Sequence, residues 1–261
     1  MIYEEHTGVL RRCFFDVQNE IGLGRREEAY HEGCRRWLSA NRVRFHSRPR
    51  YPLCIAAETV HTLIPDFVIN DSITVELKAL PRKLNDTDLV QLFDYLKVRE
   101  DRLGLMVNLG LDRAHIKRIA YSPPEYVLQE DWSRWKRHVD SQVRRIGIVV
   151  RDALKTVFRE HQTGFGQATT YKLILASLRS RGLTVAIRPR GATHYQDAKI
   201  DESDLDCLLI EGRVLLVVTA LFEDNRFNIS RGISFMNSLN IHWGIAANFG
   251  RKKAEINGLR A

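Results

Sequence analysis

The sequence predicts an α/β protein in which one mixed-sheet unit is written twice. Three observations predict it. Apolar residues at Leu10, Phe14, Val17 and Ile21 recur at helical spacing, and short aliphatic, β-branched segments follow them. The stretch IPDFVINDSITVELKAL, residues 64–80, reads as two strands around a tight turn. A shift of 140 residues then brings the chain onto itself. Arg48-Pro49-Arg50 falls on Arg188-Pro189-Arg190, Gly24 on Gly164, Leu38 on Leu178 and Asp66 on Asp206. The GxxxNxG pattern at Gly104, Asn108 and Gly110 recurs at Gly244, Asn248 and Gly250. A chain of 261 residues has room for two such domains.

The first copy reads as follows. Gly22 and Gly24 end the first helix, and a second runs from Arg25 to Ala40. Strands are expected at Arg42–His46, Tyr51–Ala56, Thr59–Ile69 and Ile73–Leu80. A helix follows over Asp86–Arg99, with Leu89, Leu92, Phe93 and Leu96 on one face. Strands at Leu103–Asn108 and Ile116–Tyr121 close the unit. Two helices, a meander, a crossover helix and a further strand make an α/β sandwich. The domains expected are 1–121, a linker over 122–145 and 146–261. The linker opens on Pro123-Pro124, carries Trp132 and Trp135, and is expected to form a turn and then an amphipathic helix between the copies.

Composition narrows the function classes. No apolar run approaches the roughly 20 residues needed to span a bilayer, so no membrane partner is expected. MIYEEHTGVLRR is unlike a secretory signal. The scattered Cys13, Cys34, Cys54 and Cys207 contain no CxxC pair and read as reduced packing residues of a cytoplasmic protein. The net charge of +8 favours a polyanion. Residues 1–140 hold 22 basic and 21 acidic side chains, whereas 141–261 hold 18 and 11, so the surplus lies in the second copy.

The strand Ile73–Leu80 places Val75 and Leu77 on one face and Glu76 and Lys78 on the other. Asp66 ends the preceding strand, across the turn Asn70-Asp71-Ser72. Two carboxylates so placed can hold a hard divalent cation, Mg²⁺ or Mn²⁺, with the Leu77 carbonyl as a further ligand. The lysine can orient a water and stabilise charge developing on a phosphate. A solvated ion pair on a strand face is the bland alternative.

The pattern PD…ExK at Pro65, Asp66, Glu76 and Lys78 resembles the PD-(D/E)xK nuclease superfamily. Gly24, Glu27 and Tyr30 spell GxxExxY. With VELKAL, QLFDYLK and LGLMVNLG they resemble the bacterial GxxExxY family of that superfamily, over residues 5–120. The resemblance implies a restriction-endonuclease-like α/β sandwich and a nuclease site. Glu27 would be an extra metal ligand beside Asp66 and Glu76, or else a first-turn acid at a helix dipole. Gln91 and Tyr95 form the QxxxY of RecB-like nucleases, sharing a helix face towards substrate or the lysine. An ordinary core tyrosine is the alternative for Tyr95.

The second copy lacks this chemistry. With one residue inserted near Glu211-Gly212-Arg213, VELKAL aligns with LVVTAL, so Val217 replaces Glu76 and Thr219 replaces Lys78. At the fixed offset Gln167 replaces Glu27, Thr170 replaces Tyr30 and Arg231 replaces Gln91. The expectation is a pseudo-dimer of tandem domains in which the first copy cuts nucleic acid, taken to be DNA, and the second is catalytically dead. Arg188, Arg190, Arg231, Arg251, Lys252 and Lys253 of the second copy would track the phosphate backbone. The rival reading is a non-catalytic nucleic-acid-binding or scaffold module.

Overall fold

A computed structural model describes residues 4–135, 139–221 and 224–261. The chain forms two compact units. Unit 1 is Met1–Pro52 with Thr62–Pro123, and unit 2 is Leu53–His61 with Pro124–Ala261. Among the described residues no helix is long and apolar enough to cross a membrane.

Unit 1 opens with helices α1 (Glu4–Ile21) and α2 (Glu27–Ala40), followed by strand β1 (Phe45–Ser47). Strands β2 (Tyr51–Ile55) and β3 (Glu58–Leu63) pair only with each other. Then come β4 (Phe67–Ile69), β5 (Ile73–Lys78), α3 (Asp86–Arg99), β6 (Leu103–Asn108) and β7 (His115–Ala120). The sheet order is β1-β4-β5-β6-β7, with β5 and β6 parallel and the other pairs antiparallel. A parallel pair needs a crossover, and α3 supplies it.

Side-chain alternation assigns the two faces. Ile73, Val75 and Leu77 of β5 join Leu103, Leu105 and Val107 of β6 in one core with Leu10, Phe14 and Val17 of α1 and Tyr30, Cys34 and Leu38 of α2. The opposite face carries Thr74, Glu76 and Lys78 and meets α3. Gly104 makes that approach close, since a Cβ there would come within 3.0 Å of Leu92. The β4–β5 hairpin pairs Phe67 with Val75 and Ile69 with Ile73. The three residues Asn70-Asp71-Ser72 form its tip; Asn70 and Asp71 take positive φ, and the Ser72 N–H donates to the Ile69 carbonyl at 3.0 Å.

The strand expected over Thr59–Ile69 is in fact two. It breaks at Ile64-Pro65-Asp66, where Pro65 has no N–H to give a ladder. The linker also departs from expectation. Instead of an amphipathic helix, its first part is strand β8 (Val127–Asp131), followed by a 3₁₀ turn at Ser133–Trp135. The part of the expected helix at 136–138 lies outside the described residues.

Unit 2 continues with α4 (Ser141–His161), α5 (Gln167–Arg179) and β9 (Val185–Ile187). A hairpin follows, β10 (Arg190–Tyr195) and β11 (Ala198–Asp204), then β12 (Leu208–Ile210) and β13 (Val214–Ala220). The unit ends with α6 (Arg226–Leu239), β14 (Trp243–Phe249) and β15 (Lys253–Arg260). Its sheet order is β9-β12-β13-β14-β15-β8. The first five strands repeat the order and directions of unit 1, including the parallel pair β13–β14. Strand β8 adds a sixth, parallel to β15.

The backbone of the two halves coincides in detail. Positive φ recurs 140 residues apart at Gly22 and Gln162, Gly24 and Gly164, Arg42 and Gly182, Arg48 and Arg188, Ala56 and Gln196, and Glu100 and Asn240. It recurs 141 apart at Asn70 and Glu211 and at Asp71 and Gly212. The Arg48 N–H donates to the Asp66 carbonyl at 2.9 Å, and the Arg188 N–H donates to the Cys207 carbonyl at 3.0 Å. The inserted residue therefore precedes Cys207, not Glu211-Gly212-Arg213 as the sequence suggested. It falls where the β10–β11 ladder slips, leaving Ile200 unpaired between Asp201 and Lys199. Cys207, not Asp206, is the counterpart of Asp66.

Trp135 locks the added strand into unit 2. Its indole N–H is shared between the carbonyls of Gly244 at 3.1 Å and Leu259 at 3.0 Å. Gly147 and Gly258 lie against its ring, where a Cβ on either would collide. Trp135→Ala should cost about 3–5 kcal/mol, read as a lower unfolding midpoint for unit 2 in thermal or urea melts.

Candidate functional site

The site of unit 1 lies at the carboxyl end of β5. Glu76 is 3% exposed and Asp66 7%. Lys78 Nζ donates to Glu76 Oε1 at 2.6 Å and to Gln91 Oε1 at 3.2 Å. The Gln91 amide donates to the Tyr95 hydroxyl, which donates to the Ile64 carbonyl at 3.1 Å. One hydrogen-bonded chain thus runs from Glu76 through Lys78, Gln91 and Tyr95 to the kink before Pro65. Gln91 and Tyr95 share a face of α3, as four-residue spacing requires. Tyr95 is buried, and it steadies the lysine through Gln91.

Asp66 is held by the backbone. Its Oδ2 accepts the Leu77 N–H at 2.7 Å, which ties the end of the Pro-Asp segment to the centre of β5. The spacing of motifs did not reveal His31. It stacks on Phe67 with ring centroids 4.5 Å apart. Its Nε2 lies 3.4 Å from the Asp66 carbonyl and 4.0 Å from Asp66 Oδ1. The only sequence signal for it was its place four residues after Glu27, on the same face of α2.

Glu27 begins α2. Gly24, at φ +72°, makes the left-handed turn that starts this segment, and Tyr30 donates to the Gly22 carbonyl at 2.7 Å. Two members of GxxExxY therefore build the turn that presents the third. Glu28, given no role from sequence, bonds Arg48.

The electrostatics show negative charge gathered in a poorly hydrated place. Burial, and then the charge of Asp66, push Glu76 up to about 8. Burial and Asp66 also raise Glu27, against the pull of Lys78. Burial alone would lower Lys78, but Glu76, Glu27 and Asp66 outweigh it and hold the ammonium above the ordinary lysine range. Burial raises Tyr95 as well.

The donor set fits a hard divalent cation. Among the described residues no group of three or more His, Cys, Asp or Glu side chains stands together so as to hold a metal ion, so the expected trio Glu27, Asp66 and Glu76 is not assembled as one ligand set. Mg²⁺ does not need such a trio, because it binds through one or two carboxylates and keeps several waters. Asp66, Glu76 and the Leu77 carbonyl supply oxygen donors of that kind.

Unit 2 shows what occupies the same place without those carboxylates. Gln167, the counterpart of Glu27, donates its amide to the Val218 carbonyl at 3.0 Å and accepts from the Ala220 N–H at 2.7 Å. Val218 is the counterpart of Leu77. An amide can bridge to that carbonyl directly, whereas a carboxylate at Glu27 offers only acceptors and requires a cation or water between. The parallel register pairs Glu76 with Met106 and Val217 with Ala246, and Lys78 with Asn108 and Thr219 with Asn248. Val217 and Thr219 therefore stand where Glu76 and Lys78 do.

The basic residues of unit 2 are placed as follows. Arg231 is turned inward, its side chain 19% exposed, with Asn228 Oδ1 at 3.1 Å and Asp206 Oδ2 at 3.5 Å. Arg188 faces the other oxygen of Asp206 at 3.8 Å. Arg190 pairs with Glu202 on the β10–β11 hairpin at 3.6 Å. Arg251 and Lys252 are exposed on the turn between β14 and β15, and Lys253 reaches Glu255 at 2.9 Å. Of the six, Arg188 and Arg231 meet at one carboxylate.

The raised Glu76 sets a pH dependence. The folded chain keeps its proton up to about 8, while the reference value is 4.5. Between these values folding takes up a proton, so this group's contribution is fully present at the acid end and is lost as pH rises through the window. Glu76→Gln should flatten that slope, about 1 kcal/mol per pH unit at its steepest, in thermal melts run without metal. Excess Mg²⁺ should flatten it in the wild type.

No curated relative matches the chain. Residues 4–119, the stretch that holds Glu27, Asp66, Glu76, Lys78, Gln91 and Tyr95, match the family model described as PD-(D/E)XK nuclease superfamily.

Proposed function

We infer that the chain is a metal-dependent nuclease that hydrolyses DNA at the single site of unit 1, while unit 2, a degenerate tandem copy, helps to hold the nucleic acid. The observation that carries this reading is Glu76, a carboxylate buried beside Asp66 and bonded to Lys78 in a segment that matches a nuclease superfamily. Asp66, Glu76 and the Leu77 carbonyl would hold Mg²⁺ or Mn²⁺. The cation would supply Lewis-acid stabilisation of the phosphate and a more acidic water.

The residues do the rest. Lys78, fixed by Glu76 and Gln91, orients the attacking water and presents its charge to the phosphate oxygens. Tyr95 and Gln91 keep it from swinging away. The Leu77 N–H holds the Asp66 carboxylate, and His31 packs beside its backbone. The topology repeated in unit 2 and the shared positive-φ positions support duplication. The loss of Glu27, Asp66, Glu76 and Lys78 at Gln167, Cys207, Val217 and Thr219 supports one active site per chain.

Cleavage of labelled single-stranded DNA, duplex DNA and RNA, with Mg²⁺ or Mn²⁺, tests the reading. Wild type should cut DNA, and Glu76→Ala and Lys78→Ala should each lose about 100-fold or more. Wild type that binds DNA but never cuts would favour the non-catalytic module. Neutralising Arg251, Lys252 and Lys253 together should weaken DNA binding and make the slope of log affinity against log salt shallower by roughly 2 to 3. Metal binding, followed by calorimetry, should stay intact.

A further inference from the structure

The two hairpins that occupy equivalent places in the repeat have opposite fates. The tip of β2–β3, Leu53–His61, belongs to unit 2. There Leu53 is 4% and Ile55 2% exposed. His161 at the end of α4 donates to the Cys54 carbonyl at 2.7 Å, and Lys172 of α5 donates to His61 Nδ1 at 3.2 Å. The helix pair α4–α5 is thus a seat for a β-hairpin.

The β10–β11 hairpin packs its base on α6 but leaves its tip bare. Tyr195, 140 residues after Ile55, is 67% exposed, and the bulge residue Ile200 is 63% exposed. Two large apolar side chains at the end of an otherwise polar hairpin are left in water. The matching seat on unit 1 is open. His161 and Lys172 correspond to Ile21 and Glu32, and both line a cleft of about 450 Å³ between α1 and α2. Val17, Ile21, Ala29 and Trp37 give it apolar surface, with Glu20 and Arg36 among the polar groups that also line it.

We propose that the β10–β11 hairpin of one chain docks, through Tyr195 and Ile200, in the α1–α2 cleft of a second copy of this chain. The occupant is identified by the molecule's own precedent: the same kind of hairpin already sits on the corresponding helices of unit 2. The contact is heterologous, hairpin to cleft, so two chains can close a pair by exchanging hairpins. Each added chain brings another unit 1, and hence another Glu76–Lys78 site. The association itself does not depend on the nuclease reading.

Sedimentation velocity of the full chain over a range of concentrations tests it. Wild type should shift from monomer to a larger species. Tyr195→Asp with Ile200→Asp should stay monomeric, and so should Ala29→Trp, which fills the cleft. Mixing these two variants should give a mixed pair through the one intact hairpin–cleft contact, at higher concentration than the wild-type pair, which makes that contact twice. That recovery also shows that each variant is folded. Wild type that stays monomeric at every concentration, or a mixture that fails to associate, would overturn the proposal.

Discussion

The constraint on which unit 1 turns is the burial of Glu76. A carboxylate in mid-strand at 3% exposure loses most of its hydration, and the fold must offset that loss or keep the group protonated. Unit 1 does some of both. Lys78 bonds the carboxylate, and Gln91, Tyr95 and the Ile64 carbonyl bond one another behind the lysine. Even so, burial and Asp66 keep the acid raised to about 8. The arrangement remains short of positive charge.

Unit 2 shows the same backbone with that demand removed. Its central strand, Val214–Ala220, is buried along its whole length. At the equivalent place an amide and a guanidinium are found. Gln167 satisfies the Val218 carbonyl and the Ala220 N–H, and Arg231 fills the place of Gln91 with its charge set against Asp206. Neutral hydrogen bonds and one internal cation replace a cluster of acids. The strand order survives because it rests on the apolar face, which both units keep, and not on the charged face, which only unit 1 has.

Much of unit 1 was legible because its signals are local. The tight turn at Asn70-Asp71-Ser72 fixes the β4–β5 register, and that register fixes which face Glu76 and Lys78 take. The i, i+4 spacing of Gln91 and Tyr95 puts them on one helix face. The misreadings had non-local causes. A one-residue bulge near Ile200 is invisible to a fixed offset, so Asp206 was set opposite Asp66 although Cys207 occupies that place. Val127–Asp131 is short, half exposed and poor in pattern, and only its pairing with β15 makes it a strand. His31 belongs to no motif, and its relation to Asp66 exists only once α2 lies across β4.

The division between the units follows from what each can tolerate. Unit 1 places acids in its interior and gives up stability there as pH rises, a cost that persists only where chemistry uses it. At the four equivalent places unit 2 holds Gln167, Cys207, Val217 and Thr219, side chains that pack or bond neutrally. Cys207 rather than an acid stands where Asp66 does, and the nearby Asp206 points to solvent, 54% exposed, between Arg188 and Arg231. Trp135 and the sixth strand stabilise the second unit, and its central strand is buried along its length without a charged side chain.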